Sequence, residues 1–154
     1  MTVAINGIAH VYITVADFDR ARPFYQSLMA LFDMRCLVDN AELYYCVGGR
    51  TGLGIRRAHD PAAFDPYRAG LHHLCFRARS REGVEDVAAA VESFGGVLVH
   101  PPREDDWAPG YYSTLFEDPC GTRLEVNYVP GRGNLDEAVE LPLSVDVQSR
   151  LTLP

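Results

Sequence analysis

The chain repeats itself once. Residues 7–17 read GIAHVYITVAD, and residues 70–80 read GLHHLCFRARS. Each segment opens on Gly-apolar-X-His, alternates along a strand-like run, and ends on a residue that can cap a helix. The aligned histidines, His10 and His73, lie 63 residues apart. That period is too long for a solenoid repeat and suits a duplicated supersecondary unit. What the first copy builds, the second must build as well.

Both copies continue in the same way. Asp17 stands as a helix N-cap, and Phe18, Ala21, Tyr25, Leu28 and Phe32 then recur at helical spacing. Pro23 in the second turn predicts a later start or a bend. In the second copy Ser80 is the cap, and Val84, Val87, Ala88, Val91 and Phe94 form the apolar stripe before Gly95-Gly96 stops it. Strand-like runs follow the first helix at Met34 to Asp39, Glu42 to Val47 and Thr51 to Arg57, and follow the second at Val97 to His100, Tyr111 to Glu117 and Thr122 to Val129. Turn chemistry lies at Asp39-Asn40, Gly48-Gly49 and Asp118-Pro119-Cys120-Gly121. Each half thus reads βαβββ, in an α+β chain. The modules cover residues 7–58 and 70–130, and residues 131–154 form a tail without a strong pattern. A lone unit has one small sheet with an open edge and an incompletely covered face. Two copies can pair their sheets around a cavity, and function belongs there.

Composition narrows the partners. With 154 residues, 47% of them hydrophobic, the chain is an ordinary globular domain. Fourteen Lys and Arg face 21 Asp and Glu, a net charge of −7. A phosphate-tracking surface needs a basic face, so no nucleic-acid partner is expected. No apolar run approaches the ~20 residues of a membrane helix. The N-terminus shows no basic region ahead of an apolar one, so no secretory signal is expected. Cys36, Cys46, Cys75 and Cys120 are scattered without a CxxC pair. That pattern suits reduced thiols and a cytoplasmic location.

Strand parity then selects the cavity-facing side chains. Val11, Ile13 and Val15 should pack under a helix, which turns His10, Tyr12 and Thr14 to the cavity. Leu74, Phe76 and Ala78 do the same for His73, Cys75 and Arg77, selecting His73 over His72. Leu124, Val126 and Tyr128 leave Arg123, Glu125 and Asn127 on the cavity side. Leu53 and Ile55 leave Gly52, Gly54 and Arg56 there. His10, His73 and Glu125 therefore converge on one space. Two imidazoles and a carboxylate with open positions are the donor set of a divalent metal. A carboxylate away from water needs such a partner, because its desolvation costs several kcal/mol. An alternative stands beside it: Arg56, Arg77 or Arg123 could neutralise Glu125, leaving both histidines as satisfied polar residues. The loop HPPREDDWAPGYY carries the only tryptophan, Trp107, which could cover the cavity mouth or pack on a partner.

At these residues the sequence resembles the vicinal oxygen chelate superfamily, which includes glyoxalase I, methylmalonyl-CoA epimerase, extradiol dioxygenases, and the fosfomycin- and bleomycin-resistance proteins. The motifs are GIAHVYITVADFDRARPFY, GLHHLCFRARS and FEDPCGTRLEV, and they span about residues 7 to 130. The resemblance implies paired βαβββ modules forming a cupped mixed β-sheet with the helices outside. It implies a divalent metal (Fe, Mn, Ni or Zn) held by His10, His73 and Glu125, and a homodimer in which one cup is built within one chain or across two. The place of a fourth ligand is Gly54, which has no donor atom. The place of a tyrosine ahead of the DPxG turn in extradiol enzymes is Leu115.

The expected function is a metalloenzyme chelating vicinal oxygens of a small substrate, with dioxygenase-like or lyase/isomerase-like chemistry. Tyr12, Tyr112 and Asn127 would orient the substrate or donate a proton. Arg56, Arg77, Arg123 and Trp107 would bind it. The alternative is a non-catalytic small-molecule-binding module of the bleomycin-resistance kind.

Overall fold

In the computed structural model, which describes residues 2–5 and 7–131, the alternating runs are strands and the 3.6-period runs are helices. The elements are β1 (His10–Val15), α1 (Phe18–Leu31), β2 (Arg35–Asp39), β3 (Leu43–Gly48), β4 (Thr51–Arg57), β5 (Leu74–Arg77), α2 (Arg81–Val91), β6 (Val97–Glu104), β7 (Tyr112–Glu117) and β8 (Arg123–Tyr128). They form two four-stranded sheets, ordered β1-β4-β3-β2 and β5-β8-β7-β6. In each sheet the first strand of the module pairs parallel with the last, and the remaining pairs are antiparallel. This is the expected α+β architecture of two βαβββ modules. Beyond Gly131 the expected tail lies outside the described residues.

The caps are where the sequence put them. Asp17 Oδ1 accepts the Arg20 N–H at 3.0 Å, and Ser80 Oγ accepts the Gly83 N–H at 3.2 Å. Pro23 neither delays nor breaks α1, which is helical from Phe18. Proline removes the donor for the carbonyl four residues back, which is that of exposed Asp19, where water can serve instead. β6 is longer than its sequence suggested. It runs through Pro101-Pro102 to Glu104, with register shifts between Leu98 and His100 and between His100 and Arg103. It is an edge strand, and edges and bulges are where a sheet tolerates proline. The expected long loop shrinks to residues 105–111.

One hydrophobic core serves both modules. The α1 face of Phe18, Ala21, Phe24, Tyr25, Leu28 and Met29 and the α2 face of Val84, Val87 and Val91 bury against Ile13, Val15, Leu53, Ile55, Phe116, Leu124 and Val126. Polar contacts lock the junction. The Tyr25 hydroxyl donates to Asp118 Oδ2 at 2.8 Å, while Asp118 Oδ1 accepts the Cys120 and Thr122 N–H groups at 2.7 and 2.9 Å. The Cys120 thiol donates to the Asp17 carbonyl at 3.3 Å. Burial and the Asp118 carboxylate hold the Tyr25 hydroxyl well above its ordinary pKa. Among the described residues no helix is long and apolar enough to cross a membrane.

Gly96 is closely packed at this junction. A Cβ there would sit 2.7 Å from a Phe24 ring carbon, 2.8 Å from the Glu117 carbonyl oxygen and 2.8 Å from a Val91 methyl. Two elements and a backbone oxygen would have to move together. Gly96→Ala is expected to destabilise by about 1–3 kcal/mol through overpacking, read as a lower urea midpoint at unchanged m-value. A midpoint equal to wild type would show that the junction is looser than its contacts indicate.

Candidate functional site

Each sheet buries one face under a helix and opens the other. Ile13, Val15, Leu53, Ile55, Leu124 and Val126 are at most 5% exposed, and their alternate neighbours point to the open face, as parity required. On the second sheet, Glu125 sits between Cys75 of β5 and Leu115 of β7, and Asn127 sits between Arg77 and Ser113. His73 immediately precedes β5.

The His73 and Glu125 side chains meet at their tips. His73 Nε2 lies 2.9 Å from Glu125 Oε2, and the Glu125 residue is only 7% exposed. The other carboxylate oxygen, Oε1, accepts the Tyr111 hydroxyl at 2.5 Å. Burial pushes the Glu125 carboxyl up, but hydrogen bonds from His73, Tyr111 and Ser113 outweigh it and hold the group below the ordinary carboxyl range. The same packing has the opposite effect on its neighbours. Burial and the facing carboxylate push the Tyr111 hydroxyl far up, so it keeps its proton; local desolvation of the thiol and the same carboxylate raise Cys75 as well, although that residue is exposed overall. Behind His73, His72 Nδ1 lies 2.7 Å from His73 Nδ1, so one of these two nitrogens carries the shared proton. The remaining His72 nitrogen, Nε2, is buried without a hydrogen-bond partner.

The first sheet differs at the corresponding place. Strand register equates Gly54, paired with Tyr12 and Tyr45, with Glu125, paired with Cys75 and Leu115. The Tyr12 ring fills the space a side chain at Gly54 would need, 2.4 Å from the would-be Cβ. His10 lies edge-on to Tyr12, with ring centroids 5.5 Å apart. His10 does not reach His73 and Glu125. Among the described residues no group of three His, Cys, Asp or Glu is placed to hold a metal. The structure therefore brings two of the three expected ligands together and leaves the third on the other sheet.

The remaining expected residues divide by face. Tyr12 is 49% exposed on the open face, and Asn127 is half-buried on the other sheet's open face. Tyr112 points the other way. Its hydroxyl donates to Glu85 of α2 at 3.1 Å, and the Arg81 guanidinium lies 4.8 Å from its ring centre. Arg123 is occupied by Glu117 at 3.1 Å and by the Tyr67 hydroxyl at 3.3 Å, so it does not neutralise Glu125. Arg56 and Arg77 are exposed. Trp107 packs with Ala108, Tyr111 and Val129, behind the tyrosine that holds Glu125.

Ser113 and Tyr45 stand at these faces without having been singled out from sequence. The usable signal was parity along YYSTLFE and LYYCV, which sets Tyr111 and Ser113 opposite Tyr112, and Tyr45 opposite Tyr44.

The profile of the Glyoxalase/Bleomycin resistance protein/Dioxygenase superfamily matches residues 7–126. No curated protein matches the chain. Among solved structures, a candidate glyoxalase from Bacillus halodurans superposes with a TM-score of 0.69 at 24% identity, covering 79% of this chain and 95% of that one. A glyoxalase/bleomycin resistance protein from Albidiferax ferrireducens T118 gives 0.67 at 25% identity, covering 80% and 98%. A lactoylglutathione lyase from Agrobacterium tumefaciens gives 0.60 at 22% identity, covering 81% and 95%.

The Tyr111 hydroxyl can be tested by itself. Tyr111→Phe removes a donor from a nearly buried carboxylate and is expected to cost about 1.5–3 kcal/mol at neutral pH. Because the fold depresses the Glu125 pKa, this stabilisation is present above the unfolded carboxyl value of about 4.3 and fades as pH falls through the lower folded value. Urea unfolding of both proteins from pH 7 to pH 3 should show the gap closing at the acid end. A pH-independent gap would contradict the charged acceptor.

Proposed function

Because the chain belongs to the glyoxalase/bleomycin resistance protein/dioxygenase superfamily, we propose that it is a metal-dependent enzyme acting on a small substrate that offers two vicinal oxygens. The observation that carries this reading is the His73–Glu125 pair: an imidazole nitrogen and an ionised carboxylate oxygen 2.9 Å apart on an open sheet face. That separation is close to the edge between adjacent ligands in an octahedron of bonds about 2.1 Å long, so the two donors fit one divalent ion (Fe, Mn, Ni or Zn). His10 is the proposed third ligand. Since it stands on the other sheet, a second copy of the chain would supply it, and the functional unit would be a homodimer with shared sites.

A bound cation would supply Lewis acidity at the two substrate oxygens. The chain's own residues do the rest. Glu125 is kept ionised by its donors and is oriented before any ligand arrives. Tyr111 keeps its proton at Oη within hydrogen-bond distance of that carboxylate, placed to hydrogen-bond a substrate oxygen without giving the proton up. Asn127, beside Ser113, offers an amide that can orient the substrate. Tyr12 lies against His10 and would bring the wall of the partner's sheet. Arg56 and Arg77, both exposed, would draw in an anionic group, and Trp107 fixes Tyr111 from behind. Dioxygenation and lyase or isomerase chemistry both suit this set. A second reading, a non-catalytic small-molecule binder, is favoured by one observation: the Gly54 place is filled by an aromatic ring rather than a donor.

Metal titration separates the two. Chelator-treated wild type is expected to bind Mn(II) at one site per chain, and Glu125→Gln or His73→Ala to weaken it by about 10- to 100-fold or more. Mixing His10→Ala with His73→Ala should rebuild intact sites in mixed dimers, about a quarter of the wild-type number if subunits exchange freely. Wild-type protein that takes up none of Mn, Fe, Ni or Zn would favour the binding module. Full metal binding by His10→Ala would remove the partner from the site.

A further inference from the structure

We propose that the open face of the first sheet is a subsite for a planar aromatic anion, formed by the rings of Tyr12 and Tyr45 and the guanidinium of Arg50. The proposal deepens the function above by naming the class of molecule that would lie opposite His73 and Glu125. It rests on that reading for the ligand's role in a reaction, but not for its binding.

The floor of the subsite is glycine. Gly52 and Gly54 of β4 lie between His10 and Tyr12 of β1 and Val47 and Tyr45 of β3. A Cβ at Gly52 would fall 2.1 Å from the Tyr45 hydroxyl oxygen, and one at Gly54 would fall 2.4 Å from a Tyr12 ring carbon. Both rings therefore lie against bare backbone, an approach that any larger residue in β4 would prevent. The ring planes are nearly parallel, 16° apart, with centroids separated by 5.7 Å. Large aromatic side chains on an exposed sheet face usually cover apolar neighbours. Here Tyr12 covers glycine on one side and leaves 49% of its surface to solvent. Such a π-surface suits a flat ring laid upon it.

The charge sits at one end. Ala9, Tyr45, Val47, Gly48, Arg50, Thr51 and Gly52 line a depression of about 330 Å³. That volume is at the lower bound of small-molecule sites. Arg50 is the only charged residue lining it and has no ion-pair partner among the described residues. Its backbone is held at φ 70° in the β3–β4 turn, beside Gly49 at φ 55°. Glycine or asparagine would take that conformation with less strain. A delocalised cation lining the same depression as the Tyr45 ring, without an ion-pair partner among the described residues and in a chain of net charge −7, selects an anion carried on a flat ring.

Direct binding to the metal-free full chain tests this, with 2-naphthoate as probe. Its saturated counterpart, decahydronaphthalene-2-carboxylate, and the uncharged 2-naphthalenemethanol separate ring from charge. The saturated acid is expected to bind about tenfold more weakly, and Tyr45→Leu to weaken naphthoate by a similar factor. Tyr45→Phe should bind as wild type. Arg50→Asn suits the turn and should weaken naphthoate about fivefold while leaving the alcohol unchanged. Arg20→Ala, on the outer face of α1, is the control for general charge. Equal binding of the flat and saturated acids, loss of binding in Tyr45→Phe, or unchanged binding in Arg50→Asn would overturn the proposal. Glu125→Gln run in parallel keeps the two hypotheses apart: naphthoate binding that survives there while Mn(II) binding fails in wild type removes the metal and leaves the subsite.

Discussion

Asp118 is 2% exposed, and it accepts hydrogen bonds from a tyrosine of α1 and from two backbone amides of its own turn. A carboxylate that far from water is stable only when its lone pairs are used, and these donors come from both modules. The turn it organises, Asp118-Pro119-Cys120-Gly121, launches β8, and β8 carries Glu125. The position of the site's one acidic group is therefore fixed through a helix that belongs to the other half of the chain. Gly96, closed in by Phe24, Val91 and Glu117, tightens the same seam from the second module. The two halves share one core and cannot be treated as separable units.

Duplication made two backbones with one plan and then let the side chains diverge. At equivalent register the second sheet has Glu125, bonded to His73 and Tyr111, while the first has Gly54 under the Tyr12 ring. The result is a polar, proton-rich face on one sheet and an aromatic face on the other. In the proposed dimer the two faces would hold a substrate by different forces on its two sides. Charge-assisted bonds would fix the reacting end, and stacking would fix the plane.

Most of the fold was legible because it is periodic. The caps at Asp17 and Ser80, the helix stripes and the strand parities follow from spacing alone, and the open-face placement of His10, Tyr12, His73 and Glu125 came with them. What escaped depended on tertiary context. Pro101-Pro102 reads as loop, yet an edge strand with bulges absorbs it. Tyr111 and Tyr112 are adjacent in sequence, and only the pairing of Tyr112 with Tyr128 shows which ring turns toward Glu125 and which toward α2. The separation of His10 from His73 was also hidden, since parity places a side chain on a face but says nothing about whether two faces meet within one chain.

Retaining an ionised glutamate at 7% exposure is costly in any fold that does not use it. An apolar residue at position 125 would pack between Leu115 and Cys75 without needing three donors. Instead Tyr111, Ser113 and His73 are all spent on keeping that carboxylate charged, and Trp107 is spent on holding Tyr111. A structural role would call for a neutralising arginine, but Arg123 is turned to Glu117 and Tyr67. A preorganised anion with an imidazole at its tip, on the open face of the sheet, is the arrangement that the proposed metal site would use.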